Sequence, residues 1–166
     1  MDTSTIDSAT ELNIGPTRTR ILVASETTHG AYCMMHQIVL PGLVTPTHRH
    51  THEDQVAIVL EGRLGFWVEG SAETQAGAGT VVHRPRGLFH ALWNASQEPA
   101  TMLEITTPAA SFERWMRQLS ELNASGAADE ATVRALAAAT YGIEFAGPDD
   151  PGGSRAAGTS TSFWQR

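Results

Sequence analysis

The chain has 166 residues, 41% of them hydrophobic and 17% charged, with a net charge of −7 and one cysteine. That content suits a single domain with a real core, and the acidic balance without a basic cluster argues against nucleic acid or an anionic membrane as partner. All 11 basic residues are arginine, which excludes Schiff-base chemistry on a lysine, pyridoxal phosphate enzymes included.

Residues 1–18 are polar and patternless and read as a tail or an added edge segment. They lack the basic and apolar regions of a signal peptide, and no apolar run reaches the length of a membrane span. Because Cys33 is alone, no internal disulfide forms, and a reduced, cytoplasmic setting is expected. Short apolar stretches follow at 21–24, 31–40, 56–60, 64–68, 80–83, 90–93 and 102–106, broken by Gly30, Pro41-Gly42, Glu61-Gly62, Gly70-Ser71, Pro85–Gly87 and Pro99. Many short strands with turn signals at close intervals predict a mostly β fold over 19–108, an antiparallel sandwich or barrel.

Past Thr106 the period changes. Phe112, Trp115, Met116, Leu119 and Leu122 recur at helical spacing behind Ala110 or Ser111 as the N-cap. A second helix is predicted over 131–141, with Val133, Leu136 and Thr140 on one face and Gly142 as its stop. This 109–146 extension is expected outside the barrel or against a second subunit, its aromatic stripe forming core. Residues 147–166 read as a flexible Gly/Pro/Ser-rich tail, although its apolar end, Phe163-Trp164, suggests docking on the barrel or a partner.

Two segments carry the chemistry. In G-L-V-T-P-T-H-R-H-T-H-E-D-Q-V-A-I-V-L-E-G, from Gly42 to Gly62, His48 and His50 stand two apart, so both imidazoles leave a strand on the same face. In G-T-V-V-H-R-P-R-G-L-F-H-A-L-W-N, from Gly79 to Asn94, His90 follows a turn on a separate strand. Three imidazoles suit a first-row transition metal, held at about 2.0–2.1 Å if it is zinc.

The same segments resemble the cupin family, whose signature is G-x5-H-x-H-x(3,4)-E-x6-G followed by G-x5-P-x-G-x2-H-x3-N. Gly42, His48, His50, Gly62, Gly79, Pro85, Gly87, His90 and Asn94 all fall in place. Only Gln55 departs, standing where the family has a glutamate ligand. The resemblance implies a double-stranded β-helix, or jelly-roll barrel, with C-terminal α-helices. It also implies one divalent transition metal (Fe, Ni, Cu, Mn or Zn) in the barrel mouth, held by His48, His50, Gln55 and His90. A homodimer paired through its sheets follows from the same resemblance.

The stretch after the second motif is similar to small bacterial cupins of the quercetin-dioxygenase-like subgroup, many of them acting in specialised metabolism, with polyketide cyclases also alike. The implied function is a metal-dependent enzyme on an aromatic or polyketide-like small molecule, with dioxygenase-type chemistry on an enolate or phenolate first. A zinc-dependent, non-oxidative cyclase or isomerase is the alternative, and a non-catalytic binding cupin the second. In flavonol-cleaving members the glutamate is read as a base, so Gln55 argues against that activity, though not against oxygenating a substrate that arrives ionised.

Other residues stay open. His52 and Glu53 are candidate acids or bases, with His52 also a rival to Gln55 as ligand. His36 enters the cavity if the face of Met34 and Ile38 does, and His83 points inward or outward. Ala57, Val59, Phe66 and Leu92, with His83, are the expected pocket lining, and the small Ala57 and Gly65 are expected to leave room for a sizeable ligand.

Overall fold

A computed structural model describes residues 5–6, 9–109, 111–147 and 161–162, the last pair by backbone alone. Its strands are β1 (Thr10–Ile14), β2 (Thr17–Val23), β3 (Cys33–Val39), β4 (Leu43–Val44), β5 (His48–His50), β6 (Asp54–Glu61), β7 (Arg63–Val68), β8 (Thr74–Gly77), β9 (Val81–Arg84), β10 (His90–Trp93), β11 (Ala100–Thr107), β12 (Ile143–Phe145) and β13 (Thr161–Ser162). One sheet has the order β1-β2-β3-β11-β6-β9, and the other β12-β5-β10-β4-β13 with β7 on the far side of β10 and β8 beyond it. Every pairing is antiparallel except β13 on β4. The fold is the expected jelly roll.

The period-2 pattern decides which residues go inside. On β6, Gln55, Ala57 and Val59 are buried while Val56 and Ile58 are half-buried, and on β11 Met102, Glu104 and Thr106 take the inner face. Val39, Leu43, Ala57, Val59, Leu64, Phe66, Leu92 and Met102 close the barrel floor as one buried cluster. Gly65, between the inward-facing Leu64 and Phe66, stands on the outer face of β7 opposite Trp93 of β10. A Cβ there would stand 2.0 Å from the Trp93 indole, so this glycine makes room for a side chain on the outer face and adds no ligand space to the barrel. Gly65→Ala is expected to cost about 1–3 kcal/mol through overpacking, read as a lower midpoint in urea unfolding.

The motif glycines and Asn94 set the loops. Gly62 turns at φ 75°, with Ala100 Cα only 2.9 Å from where a Cβ would be. Asn94, almost fully buried, donates to the Val39 and Glu98 carbonyls and accepts from Ser96, which ties the connection between β10 and β11 to the end of β3. These residues hold the barrel shut.

The N-terminal segment supplies the edge strand β1, with Leu12 and Ile14 alternating inward. Helix α1 (Phe112–Ser125) ends at Gly126 in the left-handed conformation. Helix α2 (Glu130–Leu136) starts on Asp129, whose side chain accepts from the Thr132 N–H, and continues as a π-helical turn, Ala137–Tyr141, to Gly142 at φ 63°. That turn shifts the predicted face. Val133, Ala137 and Tyr141 are buried, whereas Thr140 is exposed and Leu136 half-buried, because wider turns keep residues four apart in line.

The helices also differ from expectation in place. They form a second core with β1, β2 and β3 over the open end of the barrel, and Phe112, Trp115 and Met116 line its cavity as well as that core. β12 then adds a strand directly beside β5. Residues 148–160 and 163–166, where the flexible tail and the docking of Phe163-Trp164 were expected, lie outside the described residues, as does Ala110. No helix among the described residues is long and apolar enough to cross a membrane.

Candidate metal centre

His48 and His50 leave β5 on one face, and His90 on β10 is the direct cross-strand partner of His48. The turn within the second motif, between β9 and β10, is fastened to β5 and β6. Gly87, at φ 79°, donates its N–H to the His50 carbonyl at 2.8 Å. Arg86 grips Asp54 through its backbone N–H and its guanidinium, which holds the Asp54 carboxyl down at about 2. One ring nitrogen from each of the three histidines lies within 4.8 Å of the others.

The ring orientations are fixed from outside. Each Nδ1 donates away from the cluster: His48 to the Pro46 carbonyl at 2.8 Å, His50 to Glu53 Oε2 at 3.0 Å, and His90 to the Leu88 carbonyl at 3.2 Å. Those bonds place the proton on Nδ1 and leave each Nε2 lone pair free. His50 Nε2, His90 Nε2 and the Gln55 amide oxygen are buried with no hydrogen-bond partner. Orphaned acceptors of this kind cost free energy unless something electrophilic meets them, and a divalent cation suits three imidazoles and an amide oxygen. The residues present therefore fit the implied metal.

Charge reinforces that fit. Burial, then the neighbouring His50, lowers the His48 imidazole to about 3, and burial with His48 and Arg84 near by takes His90 well below its ordinary value. Both rings are neutral at neutral pH, the form that binds metal. In metal-free protein the unfolded chain takes up the His48 proton near 6.5 while the folded chain resists until about 3. Stability should be flat in that term above pH 6.5 and fall as the pH drops toward 3. Urea titrations at pH 7 and pH 4.5 measure this, and His48→Leu should shrink the difference.

Glu53 is not free for acid–base work. It is 1% exposed, with Oε2 on His50 and Oε1 accepting from the backbone N–H groups of Ser111 and Phe112 and from the Ser111 hydroxyl. Burial alone would raise its carboxyl, but the bonds from His50, Ser111 and Phe112 together hold it below its ordinary value. Glu53 thus orients a ligand on one side and caps α1 on the other.

The remaining expectations divide. His52 is exposed and opens on an outer cleft with Arg114 and Tyr141, away from the cluster, whereas Gln55 lines the cavity with His48. His36 does share the face of Met34 and Ile38, but Gln37 and Val39 line the cavity, so that face is the outer one. His83 is exposed and its neighbour Arg84 turns inward. Leu92 lines the cavity, while Ala57, Val59 and Phe66 face inward into the packed floor beneath it.

The sequence reading missed two charged residues in that cavity. Arg84 on β9 and Glu104 on β11 are 3% and 2% exposed and joined by a charge-assisted hydrogen bond from Arg84 Nη2 to Glu104 Oε2. The guanidinium sits over the Phe66 ring, 5.8 Å from its centroid. Burial raises the Glu104 carboxyl, with Arg84 opposing. The signal for Glu104 lay in M-L-E-I-T, where it shares the inward parity of Met102; no comparable signal separated Arg84 from His83. Phe145 on β12, its ring 5.8 Å from that of His48, helps form the mouth and was missed as well.

A jelly-roll barrel with a histidine triad in its mouth defines the class, and comparison with known proteins agrees. Residues 35–106 match the family model "Cupin domain", and this part of the chain is a cupin domain. The chain is 28% identical over 94 residues to a gentisate 1,2-dioxygenase of Ralstonia sp., which covers 52% of this chain and 26% of that protein. It thus spans about a quarter of that relative's length. Among solved structures it is similar to the polyketide cyclase RemF from Streptomyces resistomycificus (TM-score 0.56, 20% identity, 65% of this chain and 80% of that one). It is also similar to KdgF from Halomonas sp. (TM-score 0.57, 16% identity, 64% and 94%).

Proposed function

We propose that the chain is a metal-dependent enzyme acting on an aromatic or polyketide-like small molecule, with dioxygenase-type chemistry as the first reading. The observation that carries it is the set of unpartnered ligand atoms, His50 Nε2, His90 Nε2 and Gln55 Oε1, beside His48 in a cavity with apolar walls. A divalent transition metal bound there would supply a Lewis acid and, as iron, nickel, copper or manganese, an electron partner for dioxygen. Three neutral imidazoles and an amide cancel none of its charge, so the site favours a substrate oxygen that ionises readily. Phe112, Trp115, Met116 and Phe145 shield that oxygen from water.

The partial likeness to a gentisate dioxygenase supports oxygenation. Gln55 favours the alternative, a zinc-dependent cyclase or isomerase, because an amide accepts no proton at the metal. The test is dioxygen uptake by protein loaded separately with iron, nickel, copper, manganese and zinc, offered phenols and β-dicarbonyls. Uptake with a redox-active metal supports the first reading, anaerobic turnover with zinc supports the second, and neither leaves a binding cupin.

The same proposal includes a cytoplasmic homodimer with a small-molecule substrate and neither nucleic acid nor membrane as partner. What supports the dimer is the outer face of the six-stranded sheet, where Met34, Val56, Ile58, Leu103 and Ile105 are half-buried apolar neighbours across β3, β11 and β6. Sedimentation equilibrium decides it.

A further inference from the structure

The cavity wall holds a charged pair that the metal reading leaves without a task. Arg84 and Glu104 meet through one hydrogen bond only, Nη2 to Oε2. That single contact leaves Arg84 Nε and Glu104 Oε1 buried with no partner, although both residues are more than nine-tenths buried and line the cavity with His48 and Gln55. A desolvated donor and a desolvated acceptor, on two side chains already joined by one hydrogen bond, are costly without partners.

The two charges offset each other, which selects the group that can fill the gap. A carboxylate would meet the Glu104 charge and an ammonium the Arg84 charge. A neutral hydroxyl satisfies both, because it donates its one O–H to Oε1 and offers lone pairs to the Nε–H. We propose that the Arg84–Glu104 pair is a second recognition point that binds a substrate hydroxyl while another oxygen of the same molecule faces His48, His50 and His90. The substrate class is then a polyhydroxylated aromatic, or its enol equivalent. This rests on the metal-site reading and deepens it.

The test uses full-length zinc-loaded protein and calorimetric titration with the three dihydroxybenzenes and their monomethyl ethers. Methylation removes the O–H and keeps the oxygen. At least one dihydroxybenzene is expected to bind about 10- to 100-fold tighter than its ether, the range for a hydrogen bond to a charged group. The 1,3-isomer is the cleanest, since its two oxygens cannot reach one metal ion together.

In Glu104→Gln the amide oxygen stays with Arg84 and the NH2 turns to the cavity, so a donor replaces the free acceptor and the preference should vanish or reverse. Glu104→Asp, which keeps the charge and withdraws the free oxygen by one methylene, should reduce the preference at least about fivefold; it serves if the glutamine variant does not fold. Zinc retained with equal affinity for hydroxyl and ether, with no binding of any of the six, or with an unchanged preference in both variants overturns the proposal. Zinc not retained by the wild type overturns the metal reading instead.

Discussion

Glu53→Ala is expected to destabilise the metal-free protein by about 3–5 kcal/mol, the range for stripping one member from a buried charged network. The carboxylate accepts from His50 Nδ1 at 3.0 Å and from the Ser111 and Phe112 N–H groups at 3.1 and 2.8 Å. Alanine orphans those donors and uncaps α1, which carries Phe112, Trp115 and Met116 onto the cavity. Zinc affinity should fall about 10- to 100-fold as well, because nothing then fixes the His50 ring.

Glu53→Gln separates the two effects. Its amide oxygen can still cap α1, but its NH2 then faces His50 Nδ1 and forces the proton onto Nε2, the atom a metal needs. Most of the stability should survive while zinc affinity does not. Equal stability loss in both variants, read by urea unfolding, contradicts this account of Glu53.

The second large effect falls on Arg84. Arg84→Leu leaves Glu104 buried without its counter-charge and is expected to cost about 3–5 kcal/mol near neutral pH. The loss should ease on acidification, since Glu104 already has a raised carboxyl and would protonate in the folded state. Stability of the variant therefore falls as pH rises through that raised value. Glu104→Leu added to Arg84→Leu removes the stranded charge, and the double variant should recover to within about 1–2 kcal/mol of wild type. A single variant as stable as the wild type would show that the pair is open to water.

Much of the barrel was legible because burial on one face imposes period 2, and turn residues mark where it stops. The metal ligands were legible for a different reason: H-x-H places two rings on one face, and the fixed spacing to His90 and its glycine turn resembles a known frame. What stayed hidden depends on contacts across the sheets. Nothing in V-V-H-R-P says that Arg84 and not His83 turns inward, because a strand of four residues next to a proline has no pattern to read. Glu53 read as a candidate acid or base, and only the donors from Ser111 and Phe112, nearly sixty residues away, together with its bond to neighbouring His50, reveal its task. Gly65 suggested space, and the Trp93 ring that fills it comes from the neighbouring strand. β12 was missed because I-E-F is too short to register, although its pairing with β5 brings Phe145 against His48.

The most direct test of the metal centre is the metal content of protein purified without chelator or a nickel column, measured by plasma mass spectrometry beside a His48→Ala/His90→Ala control. Near one equivalent of a first-row transition metal per chain, absent from the control, is the predicted result. Wild type carrying no more metal than the control contradicts it.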